Sequence, residues 1–187
     1  MPIIGNPTNR EAAIIGQLPF LLSVIEFKFT DEQRARALAE GIRRQSFNEQ
    51  RNVKGRNRAP EKGSAAQQMH LLGAAAELAV AVYLDAEEYL YLDQSPVRGS
   101  CDLPGIDVKC RSRHNYDLLV QLDDDLSKTY VLVTIENQKT YIHGYISGLE
   151  VPIAGEVREF VSNRPCYVIP QSALKPIDTL KSYYCPQ

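Results

Sequence analysis

Residues 64–84, SAAQQMHLLGAAAELAVAVYL, constrain the fold more than any other stretch, because they hold no proline, one glycine well inside and a single formally charged residue, Glu77. Alanine is the strongest helix former, so this composition predicts one long helix buried on most of its circumference. One turn from Glu77 lie Gly73, Ala74, Val80, Ala81 and Leu84, none of which can pair with a carboxylate. An ionised Glu77 must find its partner elsewhere in the fold, or else be protonated.

Strand patterns surround this helix. Residues 21–29, LLSVIEFKF, end in the alternation of a half-exposed strand. Thr30 then starts a helix: Gln33 completes a capping box, Asp31 and Glu32 suit the positive end, and Ala35, Leu38, Ala39 and Ile42 recur at helical spacing to about Gln45. Further strands are expected at 89–92, 106–111, 118–122, 130–135 and 141–146, the last two joined through the polar turn 136–139. Beyond Gly148 the chain is punctuated by prolines, with a short strand at 166–169 and a closing segment that reads as an edge or cap. A helix followed by several strands predicts an α/β (α+β) fold with a mixed sheet covered by helices.

The 187 residues, 44% of them hydrophobic, fit one domain with a real core. Its expected parts are an N-terminal strand, helix and basic loop (1–62), a core (64–147) and a C-terminal cap (148–187). A net charge of −2 excludes a globally basic nucleic-acid coat but leaves room for a local basic patch. The apolar stretch 12–27 is interrupted by Gln17, Pro19 and Glu26, too broken to span a bilayer, and no membrane partner is expected. Cys101, Cys110, Cys166 and Cys185 form no CxxC pair, and with His70, His114 and His143 they make poor zinc spacing. Free thiols, and hence a reducing, cytoplasmic setting, are the expectation. Residues 51–62, RNVKGRNRAPEK, carry Arg51, Lys54, Arg56, Arg58 and Lys62 against the single acid Glu61. This basic loop reads equally as a solvated linker and as an arm that contacts phosphates.

The densest chemistry is in 101–110, CDLPGIDVKC. Ile106, Val108 and Cys110 alternate with Asp107, Lys109 and Arg111, so Asp107 and Lys109 project the same way, roughly 7 Å apart along a strand. A solvated outer face with a weak ion pair is the commoner meaning of such alternation. Two features count against it here: the isolated Glu77 upstream, and Asp102, placed by Pro104 and Gly105 at a turn feeding the strand. Two bare carboxylates about 4 Å apart repel by about 4 kcal/mol at an effective dielectric near 20. If Asp102 and Asp107 meet near Glu77, a divalent cation is the natural neutraliser, and oxygen ligands favour Mg2+ or Mn2+ over zinc. Lys109 beside that ion would orient a water and offset charge growing on a phosphate.

A helix with GAAAELAVAVYL, then a strand, then an Asp shortly before an apolar-Asp-Val-Lys strand, resembles the PD-(D/E)XK, or restriction-endonuclease-like, nuclease superfamily, and is similar to its small phage-encoded members. The resemblance covers about residues 64–147. It implies a central mixed sheet of four to five strands flanked by helices, and a magnesium-dependent cut of the DNA backbone inside a phage-infected cell. Catalytic roles would fall to Glu77, Asp102, Asp107 and Lys109, with the metal on Asp102, Asp107, the Val108 carbonyl and Glu77. Arg111, Arg113 and His114, with the basic loop, would contact DNA phosphates. A cut through both strands implies two active sites and hence a homodimer. Asp102 and Asp107 are only five positions apart, so a tight turn must bring them together; a competing placement uses Glu136 and Gln138. The alternatives are a catalytically inactive nucleic-acid-binding or inhibitory module of the same fold, and a structural protein in which Glu77 and Lys109 form a buried ion pair.

Overall fold

A computed structural model describes residues 24–51, 64–90 and 101–184. Two helices lead: α1 (Asp31–Gln50) and α2 (Ser64–Tyr83) follow a short strand β1 (Ile25–Phe27). The capping box at Thr30 forms as expected, the Thr30 side chain accepting from the Gln33 amide while the Gln33 side chain accepts from Thr30 N–H. α1 continues one turn past Gln45, where the apolar spacing fades, because it stays packed against α2.

α2 closes through Asp85, whose φ of 55° lets Ala86 N–H reach the Ala81 carbonyl at 2.8 Å and Asp85 N–H reach that of Val82 at 3.2 Å. The chain then makes a helical turn over Glu87–Tyr89. That corrects the strand expected at 89–92 at its first two residues, since the closing bonds of α2 draw the backbone into another turn; residues 91–92 lie outside the described residues.

The remaining strands are β2 (Ile106–Arg111), β3 (Leu118–Gln121), β4 (Thr129–Glu136), β5 (Lys139–Ser147), β6 (Glu156–Val161) and β7 (Arg164–Ile169), with short helices α3 (Val151–Ala154) and α4 (Ile177–Lys181). They form a four-stranded sheet in the order β1-β5-β4-β2 and a three-stranded sheet in the order β3-β7-β6. β2 runs parallel to β4 while the other pairs are antiparallel, so the central sheet is mixed. The β4–β5 hairpin turns on Asn137 and Gln138, both at positive φ (51° and 63°), as a two-residue connection requires. A second sheet was not anticipated, because β6 pairs only through the turn at Ser162 and Asn163 and buries none of its residues.

β4 is buried on both faces. Val131 and Val133 join Leu78, Val80, Ile106 and Val108 in a core beneath α2, while Tyr130 and Leu132 join Leu118, Val120, Ile146 and Ile169 between the two sheets. The alternation of β2 therefore assigns Ile106, Val108 and Cys110 to the α2 side and Asp107, Lys109 and Arg111 to the other. Among the described residues no helix is long and apolar enough to cross a membrane.

The helix pair meets at Gly41. A Cβ there would lie 2.8 Å from Leu71 Cα and 2.6 Å from its Cδ2, closer than any side chain is tolerated, so only glycine lets α1 approach this far. Gly41→Val is therefore expected to lower unfolding stability by about 1–3 kcal/mol, read by urea denaturation. It should also push Arg44, one turn on, away from α2.

Candidate active site at the edge of the central sheet

Arg44 supplies the partner that Glu77 lacks on its own helix. Its Nη1 and Nη2 donate to the two Glu77 oxygens at 2.7 and 2.5 Å, while its Nε donates to Glu40 Oε1 at 2.8 Å. Glu40 is held again by Arg43 through two bonds of 2.7 Å. Glu40 and Glu77 are 8% and 7% exposed, so both are nearly dry carboxylates that share one guanidinium. Burial alone would push Glu40 up, but the bonds from Arg43 and Arg44 outweigh it and hold the carboxyl below its usual range. Burial likewise works against the charge of Arg44, and Glu77 and Glu40 reverse the effect.

The tight turn required before β2 is present. Pro104 and Gly105 occupy its central positions, Gly105 has φ of 71°, and Ile106 N–H donates to the Leu103 carbonyl at 2.9 Å. The reversal carries Asp102 back along the outer edge of β2, where Val108 N–H donates to Asp102 Oδ2 at 2.6 Å. Among the described strands β2 pairs only with β4, so this edge is open to side chains. A strand residue turns its N–H and C=O to the same side; the Val108 carbonyl therefore faces the edge that Asp102 occupies.

Asp102 lies within electrostatic reach of both other acids. Burial first, then repulsion from Glu77 and Asp107, raise its carboxyl well above the ordinary range, against the opposing pull of the Val108 amide and Arg44. Glu77 also lies near Cys110, whose thiol is pushed up to about 12 by burial and then by that carboxylate. On the opposite face, Lys109 Nζ sits 2.9 Å from Asp107 Oδ1 and 2.9 Å from Asp124 Oδ2, with the Tyr130 ring centroid at 5.3 Å. Asp102 thus stands at the sheet edge between Glu77 on the helix side and Asp107 with Lys109 on the other.

Glu77 pairs with Arg44 rather than with Lys109, so the direct Glu77–Lys109 pair is not how either charge is met. Arg111 lies over the Tyr116 ring at 4.9 Å and Arg113 over the same ring at 5.6 Å. The His114 ring packs against Tyr141 and His143 at 4.5 and 4.8 Å, and its backbone N–H donates to Glu136 Oε2 at 2.9 Å. Glu136 is thereby engaged at the far end of β2, and Gln138 sits in the hairpin turn. His143 is dry, bonded through Nε2 to Thr134 Oγ1 at 2.8 Å, and burial, reinforced by neighbouring His114, lowers its pKa to about 4. Arg51 lies over the Phe47 ring at 4.2 Å, whereas Lys54, Arg56, Arg58 and Lys62 fall outside the described residues.

The residues missed from sequence are Arg44, Glu40 and Asp124. The lack of a local partner for Glu77 signalled that some cation must approach, but not which one. Among the described residues no three His, Cys, Asp or Glu side chains are arranged to grip one ion. What the donors do fit is the charge: Arg43 and Arg44 hold Glu40 and Glu77, Lys109 bridges Asp107 and Asp124, and repulsion from Glu77 and Asp107 falls on Asp102. Hard oxygen donors with unbalanced negative charge suit Mg2+ or Mn2+. No family model, curated protein or solved structure matches the chain.

Two outcomes follow from this charge arrangement. Arg44→Met leaves two buried carboxylates without their common partner and is expected to cost about 3 kcal/mol in chemical denaturation. Asp102→Asn keeps an acceptor for the Val108 amide and removes the repulsion. A carboxyl whose pKa is raised by folding stabilises less as pH climbs, so wild type loses stability between the unfolded value near 3.8 and the raised native one. Without divalent cations the Asn variant should melt at a higher temperature than wild type at pH 7. That advantage should vanish below the ordinary carboxylate range, as read by thermal melts across pH.

Proposed function

We propose that this chain is a metal-dependent nuclease that hydrolyses DNA phosphodiester bonds, centred on Asp102, Asp107 and Lys109. The observation that carries the reading is the position of Asp102, which the Pro104–Gly105 turn returns to the Val108 amide within the fields of Glu77 and Asp107. A protein gains nothing in stability from setting three acids there, whereas a phosphoryl-transfer site needs them. Mg2+ or Mn2+ held by the Asp102 and Asp107 carboxylates and the Val108 carbonyl would supply Lewis-acid polarisation of a phosphate oxygen.

The chain's own groups do the rest. Lys109 presents a fixed ammonium next to Asp107, directed by Asp124 from the other side, to stabilise charge growing on the phosphate and to orient the attacking water. Glu77, bonded at both oxygens by Arg44, opposes the ionisation of Asp102, and would add a ligand or align a water only on release of one of those bonds. Arg111, Arg113, His114 and the basic segment 51–62 would contact the sugar-phosphate backbone, giving affinity without sequence reading.

One observation favours a second reading, a catalytically inactive nucleic-acid-binding or inhibitory module of the same fold. Lys109 and Glu77 are both saturated by protein partners. The test is cleavage of plasmid and single-stranded DNA with Mg2+, repeated with chelator, with Lys109→Ala and with Asp107→Asn, each variant checked for native circular dichroism. Cleavage should fall by about a hundredfold or more in each variant and stop with chelator. Cleavage that survives both chelator and Lys109→Ala sinks the proposal, and retarded DNA mobility without any cut favours the second reading.

A further inference from the structure

Strand β6 is an edge that the fold leaves open. It pairs only with β7 among the described strands, all six of its residues, EVREFV, are exposed, and it carries neither the lysine nor the proline that blunts such edges. Its apolar members are far from covered: Val157 is 52% and Phe160 62% exposed, and Ile153 just before the strand is 86% exposed. Pro165, opposite Glu159, has no N–H to give. Pairing alternates along an antiparallel ladder, so Glu159 and, two residues earlier, Val157 turn their peptide groups outward, away from β7. Glu156 and Arg158 lie on one face, with Arg158 Nη2 2.5 Å from Glu156 Oε2; both are more than half exposed, so this pair by itself adds little.

We propose that β6 pairs antiparallel with β6 of a second copy of this chain, about a two-fold axis through Val157, so that Glu156 of each copy opposes Arg158 of the other. Two-fold pairing of a strand with itself must set a residue against its own copy, and the strand must be centred where its peptide groups face outward. Val157 meets that condition. A centre at Arg158 or Glu159 would set like charges against each other, whereas a centre at Val157 sets valine against valine between two Glu–Arg pairs. Those flanking pairs fall at non-hydrogen-bonded positions, where side chains across a ladder come closest. The irregularity in β6 lies between Glu159 and Val161, beyond the three central residues. Because a strand edge alone is smaller than the roughly 1,000 Å² of a stable interface, the association is expected to depend on concentration.

The experiment is sedimentation velocity of the full chain over a concentration series, for wild type, Glu156→Arg, Arg158→Glu and the Glu156→Arg/Arg158→Glu double variant. Wild type should shift from monomer to dimer as concentration rises. Each single variant sets like charges opposite each other twice and should weaken the dimer by about tenfold or more, and the double variant, with the charges exchanged, should restore it. Melting curves confirm that each variant is folded. A wild type that stays monomeric throughout overturns the proposal and leaves the edge to a foreign strand; single variants that dimerise unchanged, or a double variant that does not recover, overturn it as well. DNA cleavage does not enter these outcomes, so the proposal stands or falls apart from the nuclease reading.

Discussion

The bidentate bond from Arg44 to Glu77 is what the arrangement around the sheet edge depends on. The second half of α2, where Glu77 lies, is buried, and a carboxylate there costs several kcal/mol unless it is paired and hydrogen-bonded. The pair joins α1 to α2, and Glu40 continues it by taking the third donor of the same guanidinium. Three conditions must hold together for this: α1 must lie close, which Gly41 permits; its register must bring Arg44 level with Glu77; and both carboxylates must be nearly dry, so that the bonds are not diluted by water. Glu77 is then fixed in place, and its field is felt by Cys110 on β2 and by Asp102 beside it.

β2, at the edge of the sheet among the described strands, separates the two halves of the site. β2 points Val108 and Cys110 towards α2 and Asp107 and Lys109 towards the second sheet, so charges drawn from helix and strand would sit on opposite faces and never meet. The Pro104–Gly105 turn resolves this by delivering Asp102 to the edge itself, where a backbone N–H fixes it and neither face excludes it. An interior strand could not offer that position, because both of its edges would be occupied by neighbours. The location of the acids and the location of β2 in the sheet order are thus one fact seen twice.

Much of this was legible in the residues, and the reasons are local. The Thr30 capping box, the length of α2, the alternation in IDVK and the turn at Pro104–Gly105 each depend on neighbours within a few positions, and each appears where the pattern put it. Long-range choices were not legible. Nothing near Glu77 distinguishes Arg44 from the other basic residues of the chain as its partner, since the choice is made by how two helices pack. Asp124 reaches Lys109 from a loop whose three consecutive aspartates look like an ordinary solvated turn. β6 escaped because a strand with no buried face carries no hydrophobic alternation to betray it.

The unequal count of acids and bases ties stability to chemistry. Arg44 and Lys109 are each shared between two carboxylates, and what holds Asp102 is the bond from the Val108 N–H with the more distant pull of Arg44. A core residue in that predicament would be replaced by an amide at no loss to packing. The double-sided burial of β4, with Tyr130, Val131, Leu132 and Val133 all fully covered, gives the sheet enough stability to tolerate the repulsion at its edge. The fold thus sets its best-covered strand next to the place where it is electrostatically least favourable, and any cation that reached Asp102 would gain stability from relieving that repulsion.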